Sequence, residues 1–202
     1  MPPWNGWYHC TANTFGTWLP GDPRGFRARR HREHVEGDYK TPPTEDFSQR
    51  HDAARRRLTR EPVMLSEGAR GAAVEMMRHA LVDVHRLDVL AISVSGMHLH
   101  ILARFGVPAL KPTASRRGLG HHELREADPA RYYMGIAKER SSKGLVAAGL
   151  AAPGGVWARR GKIKPVRDRT HQLRVYRYIL AHASEGAAVW SFREGAKGKP
   201  TA

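Results

Sequence analysis

Two hydrophobic rhythms alternate along this chain, and together they predict a mixed α+β fold. Tyr8 to Trp18 is rich in threonine and aromatic residues, which favours an extended strand. It runs into Leu19-Pro20-Gly21-Asp22-Pro23-Arg24-Gly25, a dense string of turn formers. From Ser66, a capping residue, the apolar positions Ala72, Val74, Met76, Met77, Ala80, Leu81, Val84 and Leu87 recur with the helical period. Asp88 to Ser95 then reads as a buried strand, Gly96-Met97 as a tight turn, and His98 to Arg104 as the returning strand. Asp128-Pro129 opens a second long helix, proline being favourable in a first turn, and the helix runs to Gly149. Pro153-Gly154-Gly155 ends it, and residues 156–167 form a basic stretch predicted as a short strand or hairpin. Asp168 or Thr170 caps a third helix carrying Leu173, Val175, Tyr176, Ile179, Leu180 and Ala183, which closes before Gly186.

The order strand, helix, strand, strand, helix, strand fits a ferredoxin-like split βαβ core, with helices covering one face of an antiparallel sheet. Residues 24–60 interrupt it as a basic insertion after the first strand, with Arg27, Arg29, Arg30, Arg32, Arg55, Arg56, Arg57 and Arg60 around the breaker Pro42-Pro43. Within the insertion Glu45 to Thr59 suits a polar helix. A solvated loop and a phosphate-contacting flap both fit this segment. Residues 1–193 are expected to form one domain, and the Gly/Lys/Pro-rich 194–202 a disordered tail.

Charge narrows the possible partners. The 202 residues carry 34 Lys+Arg against 19 Asp+Glu, a formal charge of +15. Such an excess points to a polyanion, because neutralising phosphates releases their counterions. The single cysteine, Cys10, excludes an internal disulfide and a cysteine-rich zinc module, and suits a reducing cytoplasm. No apolar run approaches the ~18 residues of a membrane span, and the N-terminal residues lack the layout of a signal peptide.

The residues with most chemical promise are His98 and His100. Alternate side chains of a strand share a face, so the two imidazoles project together and can hold one divalent metal ion. The simpler alternative is a pair of satisfied core histidines. Trp157, Arg159, Arg160, Lys162, Lys164, Arg167 and Arg169 interleave an aromatic with cations, the pattern of a groove that tracks phosphates and stacks a base. A basic edge strand with a buried tryptophan would look the same. In the third helix His171, Tyr178 and His182 share one face, which is either solvated or turned to nucleic acid, the solvated reading being slightly preferred.

The block Thr14-Phe15-Gly16-Thr17-Trp18-Leu19-Pro20-Gly21-Asp22-Pro23-Arg24-Gly25, followed by His98-Leu99-His100 on a strand and by a helix carrying Lys138 and Ser142, resembles the IS200-like transposases. These include relatives associated with repetitive extragenic palindromes, within the wider group of HUH single-strand nucleases. The resemblance runs from about Tyr8 to the end of the third helix. It implies the HUH fold and a Mg²⁺ or Mn²⁺ ion held by His98, His100 and a polar side chain of the following helix. That ion polarises a scissile phosphate of single-stranded, hairpin-forming DNA. A helix-borne tyrosine then attacks, giving a 5′-phosphotyrosine link and a free 3′-OH. The resemblance also implies a homodimer.

This chain departs from the pattern at the nucleophile. Framed by Lys138 and Ser142, the expected tyrosine is Arg140, whose guanidinium cannot attack phosphorus but can clamp a phosphate. Tyr133 lies seven residues earlier, within about 20° of the same helix face but roughly 10 Å along the axis; Tyr132 points elsewhere. For the third ligand, Glu139, Ser141, His121 and His122 all stay open. The expectations are therefore strand transfer through tyrosine, a disarmed DNA- or RNA-binding module, or a metal-dependent nuclease in which water replaces tyrosine.

Overall fold

The computed structural model describes residues 3–22, 45–105 and 129–195. Five strands form one antiparallel sheet in the order β4-β1-β3-β2-β5. The strands are β1 Trp7–Thr14, β2 Asp88–Val94, β3 His98–Arg104, β4 Trp157–Pro165 and β5 Ala188–Ser191. The helices are α1 Glu45–Arg56, α2 Glu67–Arg78, α3 Pro129–Ala147, α4 Arg169–Ala181 and the short α5 Phe192–Gly195. The architecture is α+β and compatible with a split βαβ fold. Most of the insertion, His121, His122 and the end of the tail lie outside the described residues.

Capping follows the sequence closely. The Ser66 hydroxyl accepts from the Ala69 amide and starts α2, which a π-helical turn at His79–Val84 prolongs. The Asp168 carboxylate accepts from the His171 amide and starts α4. A 3₁₀ turn at His182–Glu185 ends α4, and Gly186 takes the left-handed conformation (φ 78°) that turns the chain into β5. The sequence pattern did not predict β5; its four residues are too few for periodicity to register.

The helices do not share one face, as expected, but cover both. Leu99, Ile101 and Ala103 of β3 join Cys10 and Ala12 of β1 in a core with α2 and α3. Leu102 instead meets Ala91, Val166 and the α4 residues Val175 and Ile179 in a second core. The physical reason is in β3 itself: apolar side chains stand on both of its faces, so each face must be covered. Thr11 pairs with His100 and Asn13 with His98, so these residues share the α4 face of the sheet.

The Thr14–Asp22 block has a structural task. The buried hydroxyls of Thr14 and Thr17 are 2.9 Å apart and both donate to the Met97 carbonyl, while the Thr14 amide donates to the same carbonyl at 2.7 Å. The block thereby pins the β2–β3 turn immediately before His98. A motif distant in sequence thus anchors the turn that leads into the histidine strand.

Candidate metal centre

His98 and His100 project from β3 on the α4 face, and His182 reaches the same point from the end of α4. One ligand nitrogen from each lies within 4.8 Å of the others, close enough to hold a metal ion. Bonds of about 2.0–2.1 Å to a single ion put ligand nitrogens roughly 3.3 Å apart, so binding would draw the three rings closer together. His100 and His182 are buried, whereas His98 is half-buried.

Each imidazole is oriented through Nδ1. The Ser95 hydroxyl lies 2.9 Å from Nδ1 of His98. Nε2 of His9 lies 3.0 Å from Nδ1 of His100. Nδ1 of His182 lies 2.9 Å from the backbone carbonyl of Tyr178, which only accepts, so that nitrogen carries the proton. With Nδ1 so engaged, Nε2 is the nitrogen with which each ring would ligate a metal. Partners on the second ring nitrogen are the usual support of a histidine ligand.

Burial disfavours protonation of His100 and of His9 beside it. Burial, reinforced by the positive charge His98, His9 and His182 would carry, lowers His100 to about 2. Burial, with Lys164, His171 and His182 nearby, lowers His9 to about 4. A neutral imidazole is the ligating form, so burial holds His100 in the state that would take a cation other than the proton.

Tyr178 stands over the cluster from the turn of α4 before His182. Its ring centroid is 4.6 Å from His182, 5.4 Å from His100 and 6.2 Å from His9, and half of the residue is exposed. The four-residue spacing of Tyr178 and His182 puts both on one helix face. That signal was legible in the sequence, where the solvated reading of this face was preferred; the structure buries His182 and brings it to the histidine pair.

The other expected site residues lie elsewhere. Tyr133 packs in the core beneath the opposite face of the sheet, stacked on Phe105 at 6.0 Å and edge-on to His85 at 5.3 Å. Burial there raises its phenol above the ordinary value. Arg140 is exposed on α3 beside Met76, His79, Ala80, Val84 and His85, again across the sheet from the histidines. Neither Tyr133 nor Arg140 is positioned to act at the centre. Glu139 pairs with Lys143, and the Ser141 hydroxyl is consumed by the Ala137 carbonyl and the Trp157 indole, so neither supplies the third ligand.

The Lys138–Ser142 frame serves packing. The Lys138 ammonium donates to the Ala158 and Arg159 carbonyls, and the Ser142 hydroxyl accepts from the Val156 amide. These contacts clip α3 to β4. Trp157, expected to stack on a base, is instead buried, with Nε1 donating to Ser141 at 2.9 Å. Arg159, Arg160, Lys162, Lys164, Arg167 and Arg169 are exposed, as a phosphate-tracking surface requires. In register, Lys164 lies opposite His9 and Lys162 opposite Thr11, which puts both lysines on the face of the histidine cluster.

No protein-family model, curated protein or solved structure matches this chain. Among the described residues, no helix is long and apolar enough to cross a membrane.

Proposed function

We propose that this chain cuts and rejoins single-stranded DNA through a covalent link to Tyr178, in the manner of the IS200-like transposases it resembles. The observation that carries the reading is the convergence of Tyr178 and His182 from α4 onto His98 and His100 of β3. A half-exposed phenol beside three clustered imidazoles and a field of cations suits attack on a phosphodiester.

His98, His100 and His182 would hold the metal, whose contribution is Lewis-acid polarisation of the scissile phosphate. Three imidazoles with no carboxylate suit a first-row transition ion better than Mg²⁺, which prefers oxygen; of the two ions the resemblance implies, Mn²⁺ fits better. The Tyr178 oxygen attacks phosphorus and loses its proton as the O–P bond forms. The bond from phosphorus to the 3′ oxygen breaks, and that oxygen takes up a proton to become a free 3′-OH. One phosphodiester replaces another, so the reverse attack rejoins the strand. His182 positions both partners: its ring would hold the metal while its Nδ1 donates to the backbone carbonyl of the nucleophile itself.

The test is incubation with labelled single-stranded DNA and Mn²⁺. A protease-sensitive covalent adduct in the wild type, absent from Tyr178→Phe and from His100→Ala, is the expected result. Cleavage that survives Tyr178→Phe and leaves no protein-linked 5′ end would replace this reading with hydrolysis by water.

A further inference from the structure

A cleft lies beside the metal centre on the same face of the sheet. Its lining combines Thr11 and Asn13 of β1, Trp18 of the following turn, and Arg160 and Lys162 of β4, around a cavity of about 300 Å³. Its origin is a bulge. Ala12 pairs with Gly161 and Thr14 with Trp157, so one β1 residue spans the same interval as three residues of β4, and Asn13 has no partner on β4. Bulges of this kind bend a strand and re-aim its side chains. Gly161 is needed at the close approach, because a Cβ there would sit 2.5 Å from the Thr11 carbonyl.

The cleft meets the histidines directly. Thr11 is the cross-strand neighbour of His100 and Asn13 that of His98, each one strand spacing of about 4.8 Å away. Its chemistry is heterogeneous in an informative way. Trp18 is a large apolar ring, 41% exposed. Asn13 offers a donor and an acceptor side by side, and Arg160 and Lys162 are exposed cations. An aromatic face, an amide and two cations together match one nucleotide: a base to stack, an edge to read and a phosphate to neutralise.

We infer that this cleft is a nucleobase-binding subsite that holds the nucleotide next to the scissile phosphate, with Trp18 stacking on the base and Asn13 reading its edge. The inference rests on the proposed DNA strand transfer for its substrate. Adenine is a suitable probe base, since its N6 and N7 present a donor–acceptor pair that a carboxamide matches. The stacking partner is Trp18, not the buried Trp157.

The experiment compares binding of a short deoxyadenylate strand with an abasic strand of the same length and charge, at one salt concentration, by fluorescence anisotropy. Wild type should prefer the base-bearing strand by about 5- to 150-fold. Trp18→Ala should lose most of that preference while its affinity for the abasic strand stays unchanged, Trp18→Phe should keep most of it, and Asn13→Ala should reduce the preference for deoxyadenylate over thymidylate. An undiminished preference in Trp18→Ala would overturn the subsite. Photocrosslinking of wild type to a bromodeoxyuridine-bearing strand, mapped by mass spectrometry, gives a check that needs no variant to fold. Label at Trp18 or its cleft neighbours supports the subsite, and label confined to other surfaces overturns it. The two readings fail separately. A covalent adduct with a Trp18-independent preference removes the subsite and leaves the reaction; a Trp18-dependent preference without an adduct removes the reaction and leaves the binding site.

Discussion

Acidification should weaken the fold through the histidine cluster well before the carboxylates respond. His9 and His100 begin from an ordinary imidazole value of 6.5 and are lowered to about 4 and about 2 in the folded chain. Below 6.5 the unfolded chain therefore binds protons that the folded one refuses. Linkage gives the sign: stability from these groups is fully present above 6.5 and is lost as the pH falls toward and through 4. At about pH 5 an unfolded imidazole is almost wholly protonated and the folded pair is almost wholly neutral. Each then costs roughly 2 kcal/mol, and the two together roughly 4 kcal/mol, a large part of a typical 5–15 kcal/mol stability. The assay is urea unfolding in the presence of EDTA, followed by tryptophan fluorescence at about pH 8 and about pH 5. A protein carrying His9→Gln and His100→Gln lacks both titrating groups and should lose about 4 kcal/mol less than wild type over that interval. Equal losses in the two proteins, or a wild type that gains stability in acid, would refute the reasoning.

Other outcomes follow from the same geometry. His182→Ala should weaken Mn²⁺ binding at least ~10-fold by calorimetry, whereas His171→Ala, whose Nδ1 accepts from the Arg167 amide, should leave it unchanged. Tyr133→Phe should leave adduct yield at the wild-type level while Tyr178→Phe abolishes it, gel electrophoresis of labelled DNA being the readout. Trp157→Phe removes the indole donor to Ser141 and should cost about 1 kcal/mol in urea unfolding, with single-strand affinity unaltered. Gly161→Ala forces a Cβ against the Thr11 carbonyl and should destabilise by about 1–3 kcal/mol, read as a lowered Tm.

Much of the scaffold could be read along the chain because its causes are local. Ser66 and Asp168 cap the helices that their positions announced, and the β2–β3 hairpin folds about Gly96-Met97 as the apolar pattern requires. The pairing of His98 and His100 followed from strand periodicity alone, since a two-residue repeat puts both rings on one face. What strand periodicity does not encode is which face, and what covers it. β3 is apolar on both sides, so the choice between one helical layer and two depended on where α3 and α4 docked.

That choice decided the site. Tyr133 and Tyr178 are both helical tyrosines, and the resemblance to IS200-like transposases implies a nucleophile on the helix of the former. Only tertiary packing separates them: α3 takes Tyr133 into the core beneath Leu99 and Ile101, while α4 carries Tyr178 and His182 across to His98 and His100. The third metal-competent histidine lies 82 positions beyond His100 in the chain, so no local pattern could have tied it to the pair. The cleft at Asn13 and Trp18 depends likewise on a bulge between β1 and β4, a register event with no signature in either strand alone. Sequence by itself determined most of the elements, though not β5, together with the basic surface and two of the three metal-competent histidines. The sheet's two-sided burial decided which chemistry those elements bring together, because contacts between distant segments are set by packing and not by the spacing of residues along the chain.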